Sequence, residues 1–518
     1  MVFSDGDFAY AQRTWDCTSK AEGRLKVEHL FEKLSQYNKK GIYPYHMPGH
    51  KRQGWGMLPE ELYEIDITEI EDFDNLHQPE GILLELQREA ARLYGAEESY
   101  YLVNGSTGGI LSAVSAAVPF GGCILMARNC HKSAYHAAYL RHLQTEFLYP
   151  SILAEYGIVD AVTPLQVREA LERTTETNAV LIVSPTYEGR VADIAEIAGV
   201  VHEKGIPLIV DEAHGAHLGL AEGSRRNSCQ AGADLVIHSM HKTLPALTQT
   251  GLLHVNGERI DRSLLRRFLQ IYQTSSPSYP LMASIDNALQ YMDKVNNNAF
   301  AKFQHFYERM TEKLSECRSL KILIGKRERQ DIGKLVISVR GTVLTGKALY
   351  DILLKQYGLQ TEMASIDFVL AMFTINDGSE AYNRMTEALL EIDRKLSYGG
   401  TGEKPPEKTS LPEAWEIPQE KISLAEAWEM PAEEILLTES VGRYTSEFVN
   451  LYPPGIPLLI PGEQVRETHC REIWEAVSQG LNVQGIRTRR DESGALQEIS
   501  IKILQENAEV CSKRNKEE

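Results

Sequence analysis

No stretch of this sequence approaches the roughly 18 consecutive apolar residues that a membrane-crossing helix needs, so no α-helical membrane span is expected. The first ten residues carry Asp5 and Asp7 and no apolar run, so no secretory signal is expected there. Cysteine is sparse and unpatterned. Cys17, Cys123, Cys130, Cys229, Cys317, Cys470 and Cys511 include no Cys-x-x-Cys pair, and seven thiols cannot all pair within one chain. Such spacing fits neither a zinc site nor a disulfide framework; it points to reduced thiols, a cytoplasmic protein and no metal. Positive charge is also short, with 54 Lys and Arg against 72 Asp and Glu, a net charge of −18. A field of that sign disfavours nucleic acid and anionic membranes as partners and suits a small cationic molecule.

What is present is the mix of a globular protein: 43% apolar and 24% charged residues over 518 positions, enough for several domains. Residues 1–24 are polar and aperiodic and read as a tail. A segment over 25–79 opens with helical spacing (Leu25, Leu30, Phe31, Leu34) that Pro44, Pro48 and Gly49 break. Over 80–300 helical patterns alternate with short, nearly continuous apolar runs at 124–127, 180–184, 208–211 and 235–238. Runs of that kind mark strands buried on both faces, so this region reads as α/β with a mostly parallel sheet. Strands at 334–339 and 368–374 and a helix at 379–396 suggest a smaller α+β domain over 301–396. Gly399, Gly400, Gly402, Pro405 and Pro406 open a linker over 397–433. That linker holds a tandem segment, Leu411-Pro-Glu-Ala-Trp-Glu-Ile-Pro and Leu424-Ala-Glu-Ala-Trp-Glu-Met-Pro, which reads as a local duplication or a partner-binding helix. A last unit over 434–518 contains Tyr452-Pro-Pro-Gly-Ile-Pro457, a turn stiffened by its prolines, and is expected to fray over 512–518.

Three polar groups fall at the carboxyl ends of expected strands, where open α/β sheets bind ligands. Asp211 closes one strand within Val210-Asp211-Glu212-Ala213-His214-Gly215; alone, it could equally cap the next helix. Lys242 follows another strand within Ser239-Met240-His241-Lys242-Thr243, and a lysine buried there needs a lowered pKa or a covalent partner. Asn104-Gly105-Ser106-Thr107-Gly108-Gly109 lies between a strand and a helix and offers hydroxyls and free N–H groups to an anion. A plain capped turn is the competing reading. Asp211 and Lys242 are one β-α-β step apart, which places them on nearby strands. Phosphate cradle, carboxylate and lysine together describe the needs of pyridoxal phosphate. Its aldehyde takes an amine, and its pyridine nitrogen needs an acid to remain protonated.

The sequence resembles the ornithine/lysine/arginine decarboxylase family, pyridoxal enzymes of the aspartate-aminotransferase-like fold. The resemblance rests on Tyr45-His-Met-Pro-Gly-His-Lys51, Asp74-Asn-Leu-His77, Asn104-Gly-Ser-Thr-Gly108, Arg128-Asn-Cys-His-Lys-Ser133, Ser184-Pro-Thr-Tyr187, Asp211-Glu-Ala-His-Gly215, Ser239-Met-His-Lys242, Thr248-Gln249 and Tyr452-Pro-Pro-Gly-Ile-Pro457, in family order over about residues 30–505. It looks like the compact group without an N-terminal wing domain. It implies a fold-type-I large domain with smaller α+β C-terminal domains, and a dimer and active-site loop in 25–79. Lys242 is then expected to carry the cofactor and Asp211 to face its pyridine nitrogen. His214 would sit near the ring hydroxyl and His131 on the ring face. Gly105, Ser106, Thr107, Ser239 and His241 would surround the phosphate. Gln273-Thr-Ser-Ser-Pro-Ser278 would approach the phosphate across the interface of a homodimer or higher homo-oligomer, and Glu362 stands where members often carry an acid.

The activity so implied is decarboxylation of a basic amino acid, arginine ahead of lysine or ornithine, to an amine and carbon dioxide. A carboxylate must then read the substrate's distal cation, and the acidic run Glu69, Glu71, Asp72 and Asp74 is the candidate. Two readings compete: an aminotransferase or other Cα chemistry on the same fold, and a non-catalytic regulatory subunit. The retained lysine, carboxylate and cradle speak against the second.

Overall fold

The computed structural model describes residues 28–40, 47–48, 51, 59–174, 176–220, 225–325, 329–398, 422–453 and 455–505. The expected tail, Leu25, most of the Tyr45–Lys51 motif and of the linker, the first Trp segment and residues 512–518 lie outside them.

The apolar runs read from the sequence become the centre of one sheet. Cys123–Ala127, Thr177–Val183, Leu208–Asp211 and Leu235–Ser239 pair in parallel, and Gln144–Leu148 adds a parallel edge. These strands are buried because helices cover both faces, which is why they carry no polar alternation. The Gly251–Val255 strand runs antiparallel to Leu235–Ser239, and Glu98–Leu102 runs antiparallel to it in turn, completing seven strands. Two reversals restore direction. The carboxyl end of Glu98–Leu102 therefore lies on the same edge of the sheet as those of Leu208–Asp211 and Leu235–Ser239. The mostly parallel α/β architecture read from the sequence is the one observed.

Helices follow their capping chemistry. Ile82–Tyr94 ends at Gly95 in the left-handed region, and Pro164–Arg173 opens on a capping box between Thr163 and Gln166. The 36-residue helix Tyr279–Leu314 starts at the N-cap Ser278 and runs through position 300, where the sequence changes character. Beyond it, Lys321–Ile322, Lys334–Ser338, Phe368–Met372 and Met363–Ala364 form an antiparallel sheet, with helix Ser379–Tyr398 after it. Two three-stranded sheets make the C-terminal part. The second Trp segment is described: Leu424–Glu429 is a short helix whose Trp428 ring meets Tyr139 edge-on and also touches Phe448. Among the described residues, no helix is long and apolar enough to cross a membrane. None of the five described cysteines forms a disulfide.

Candidate active site

Asp211 is the last residue of its strand. On the neighbouring strand, Ser239 is last, and the single turn Met240–Thr243 then presents His241 and Lys242. The third group arrives from Glu98–Leu102, through the helix Gly105–Ala117. Gly105 takes φ +66°, a conformation that side-chain-bearing residues rarely adopt, and its N–H donates to the Gln249 carbonyl at 2.9 Å. Asn104 spends its amide on the Tyr272 carbonyl and makes no side-chain cap. The helix's amino end, with its positive partial charge, is left to the cavity. Ser239 Oγ donates to Ser106 Oγ at 2.8 Å, joining the two elements.

All nine residues expected from the sequence line one cavity of about 210 Å³: Gly105, Ser106, Thr107, His131, Asp211, His214, Ser239, His241 and Lys242. Asn129, Pro185, Tyr187 and Ile456 also line it. Ile456 belongs to the proline-rich turn, some two hundred residues after Lys242. Its neighbour Gly455 faces the His131 ring, where a Cβ would make ordinary contact, 3.5 Å from Cδ2 and Nε2. Arg128 secures that turn by donating to the carbonyls of Pro457 and Leu458 and to Glu463.

Burial sets the electrostatics. It raises the Asp211 carboxyl, with Lys242 pulling the other way; its one hydrogen bond among the described residues is from the Ala213 N–H at 3.1 Å. Burial lowers the Lys242 amine against the pull of Asp211 and Glu362. Burial, then Lys242 and Lys132, brings His131 down to about 4. The His131 Nδ1 faces the Ser133 N–H at 3.2 Å and so acts as acceptor. His214 stands between two lysines, with Nε2 at 3.2 Å from Lys242 Nζ and Nδ1 at 2.8 Å from Lys334 Nζ. Burial and then both cations hold it well below the usual imidazole range.

These groups fit pyridoxal phosphate. A helix amino end with two serines and a threonine suits a phosphate. A buried acid with a single backbone donor complements a protonated ring nitrogen, and an amine of lowered pKa lies on the adjacent strand. Asn129 Oδ1 is buried without a hydrogen-bond partner in the same wall, one more acceptor for a polar ligand.

The acidic run does not reach this cavity. Asp74 is committed to its own loop, accepting from the N–H groups of Asn75, Glu80, Gly81 and Leu83, and Glu69, Glu71 and Asp72 are likewise absent from the lining. Glu362 is nearer: it is exposed and accepts from the Tyr187 hydroxyl. Gln273 is buried, holding Val103 and Tyr101 backbone groups, whereas Thr274, Ser275 and Ser276 are exposed and away from the cavity. Sequence reasoning missed Lys334 and gave Asn129 and Tyr187 no role, although both stand inside quoted motifs.

Comparisons with known proteins agree with this geometry. The Orn/Lys/Arg decarboxylase major domain matches residues 28–332, and the C-terminal domain of the same family matches residues 409–475. The arginine decarboxylase of Bacillus subtilis (strain 168) is 32% identical over 469 residues, 88% of this chain and 95% of the relative. The uncharacterized protein YaaO of the same organism is 32% identical over 477 residues, with the same two coverages. Among solved structures, the Escherichia coli constitutive lysine decarboxylase superposes with a TM-score of 0.73 at 21% identity, covering 92% of this chain and 82% of that one. That last likeness establishes the fold. With a family match over more than half the chain and relatives aligned nearly end to end, the ordered motifs have one explanation: this chain belongs to the Orn/Lys/Arg decarboxylase family.

Proposed function

We propose that this chain is a pyridoxal-phosphate-dependent decarboxylase of arginine, releasing carbon dioxide and the corresponding amine. The observation that carries the reading is Asp211 and Lys242, at the ends of neighbouring strands, sharing one cavity with the open amino end of Gly105–Ala117. When bound, the cofactor supplies an electron sink for the pair left as the Cα–carboxylate bond breaks. The chain's residues do the rest. Lys242 offers an amine whose pKa burial lowers. Asp211 holds a proton at the ring nitrogen. Ser106, Thr107, Ser239 and His241 bind the phosphate, His131 covers the ring face, and His214 faces the Lys242 nitrogen. Ile456 and Pro185 exclude water.

Glu362 is the carboxylate we assign to the substrate's distal cation. It accepts from Tyr187, which lines the cavity, and its charge is felt by both Lys242 and Lys334. Arginine is favoured over lysine and ornithine because several relatives aligned along most of the chain, such as the Bacillus subtilis one at 32% identity over 469 residues, carry the name arginine decarboxylase. The exposed Thr274, Ser275 and Ser276 support a homodimer in which they approach the partner's cavity, and the reduced thiols support a cytoplasmic setting.

The test incubates the cofactor-loaded protein with arginine, lysine and ornithine, identifying products by mass. Agmatine and carbon dioxide are expected from arginine; keto-acid products, or none from all three, would overturn the reading. Lys242→Ala should lose both turnover and the visible absorbance of the lysine-bound cofactor.

A further inference from the structure

Lys334 opens the strand Lys334–Ser338 and is completely buried, an unusual position for a lysine. It has no carboxylate in salt-bridge contact among the described residues. Its side chain is pinned by the chain opposite: a Cβ on Gly189 would lie 2.6 Å from Lys334 Cβ and Cγ. The Tyr187 ring centre lies 5.4 Å from Nζ. The ammonium ends 2.8 Å from His214 Nδ1, while the other ring nitrogen is 3.2 Å from Lys242 Nζ. Three side chains from three elements thus form one line, lysine, imidazole, lysine, with its outer end sealed in the core and its inner end at the cavity.

We propose that Lys334 is a positioning residue that fixes the tautomer of His214, holding its proton on Nε2 so that the imidazole donates to the Lys242 nitrogen. The reasoning is one of donors and acceptors. An ammonium has donors only, so Nδ1 must accept, and a neutral ring then carries its proton on Nε2. A donor at Nε2 matches a Lys242 nitrogen that bears a lone pair, the form in which the free lysine amine can attack an aldehyde. It mismatches an ammonium there. The same cation opposes a second positive charge two bonds along the line. The assignment rests on the decarboxylase reading for its use in turnover, but not for its geometry.

The groups facing Lys334 are Asp331, Glu362, Glu188, Lys242 and His214. Asp331 already receives His217 Nε2 at 3.1 Å and the Gly333 N–H at 2.9 Å. Burial brings Lys334 down to about 8, with Asp331 and Glu362 opposing that shift. Its cation is therefore lost more readily than that of a solvated lysine.

The experiment uses the cofactor-loaded protein and follows the visible absorbance of the lysine-bound cofactor against pH. In Lys334→Met the midpoint should move upward by about one pH unit or more, because a nearby cation no longer opposes protonation of the Lys242 nitrogen. In Lys334→Arg, which keeps charge and donor, the midpoint should stay with the parent. A Met variant that folds and loads cofactor with an unchanged midpoint overturns the proposal. A second measurement needs no variant at the lysine: imidazole ¹⁵N shifts of the unmutated protein, with His214 assigned by its loss in His214→Gln. A proton on Nε2 below pH 8 is expected, and a proton on Nδ1 overturns the assignment. Neither readout depends on turnover, so failure here is distinct from failure to release carbon dioxide from any basic amino acid.

Discussion

Replacing Arg128 by methionine asks how firmly the C-terminal turn is held against the sheet. Arg128 and Glu463 are each 3% exposed and meet at 2.8 Å. The guanidinium also donates to the Pro457 carbonyl at 2.8 Å, the Leu458 carbonyl at 3.1 Å and the Tyr135 hydroxyl at 3.2 Å. Methionine keeps much of the volume but strands the carboxylate, whose remaining partner is the Ile460 N–H. Breaking one side of a buried pair in this way costs about 3–5 kcal/mol. That is a large share of the roughly 5–15 kcal/mol that holds a domain together, so local detachment of the turn should precede global unfolding. Urea unfolding should shift by the stated amount, hydrogen exchange should accelerate over 455–463, and cofactor retention should fall as Ile456 and Gly455 leave His131. The double variant Arg128→Met with Glu463→Leu should recover most of the loss, since an apolar pair of similar size is nearly neutral. A single-variant change below about 1 kcal/mol, the range of ordinary substitutions, would refute the reasoning.

Three further outcomes follow from the local surroundings of single residues. Gly189→Ala places a Cβ at φ +91° against Lys334 and 2.8 Å from Gln330 Nε2, and should destabilise by about 1–3 kcal/mol in thermal melts; Gly199→Ala, in helix Ile194–His202 with nothing within 4 Å, should be neutral or stabilising by up to about 1 kcal/mol. His131, held at about 4 in the fold by burial and then Lys242, takes its proton in the unfolded chain near pH 6.5. Its share of stability is therefore present above about pH 6.5 and is lost as pH falls towards 4, at most about 3 kcal/mol; His131→Gln should flatten that part of the urea-midpoint profile, and an unchanged slope would count against it.

The parallel core was legible because its strands are buried on both faces. Uninterrupted runs such as 208–211 and 235–238 leave helix covering as the only solution, and the polar residue ending each run falls at the ligand-binding edge. The Gln144–Leu148 edge strand was not legible, because Gln144, Thr145 and Glu146 leave it without a continuous apolar run. The acidic run misled for a related reason: carboxylates at short spacing look alike whether they meet a ligand or, like Asp74, cap backbone N–H groups. Lys334 gave no signal at all. A lysine at a strand start is ordinarily solvated, and only the fold reveals that Gly189, Tyr187 and His214 enclose it.

Ile456 closes a cavity whose other walls come from residues 105–242. Residues up to 440 supply Asp211, Lys242 and the Gly105–Ala117 helix, but not the wall that meets the His131 ring at Gly455. The wall of the cavity is thus assembled from segments more than two hundred residues apart, and it is incomplete without the proline turn.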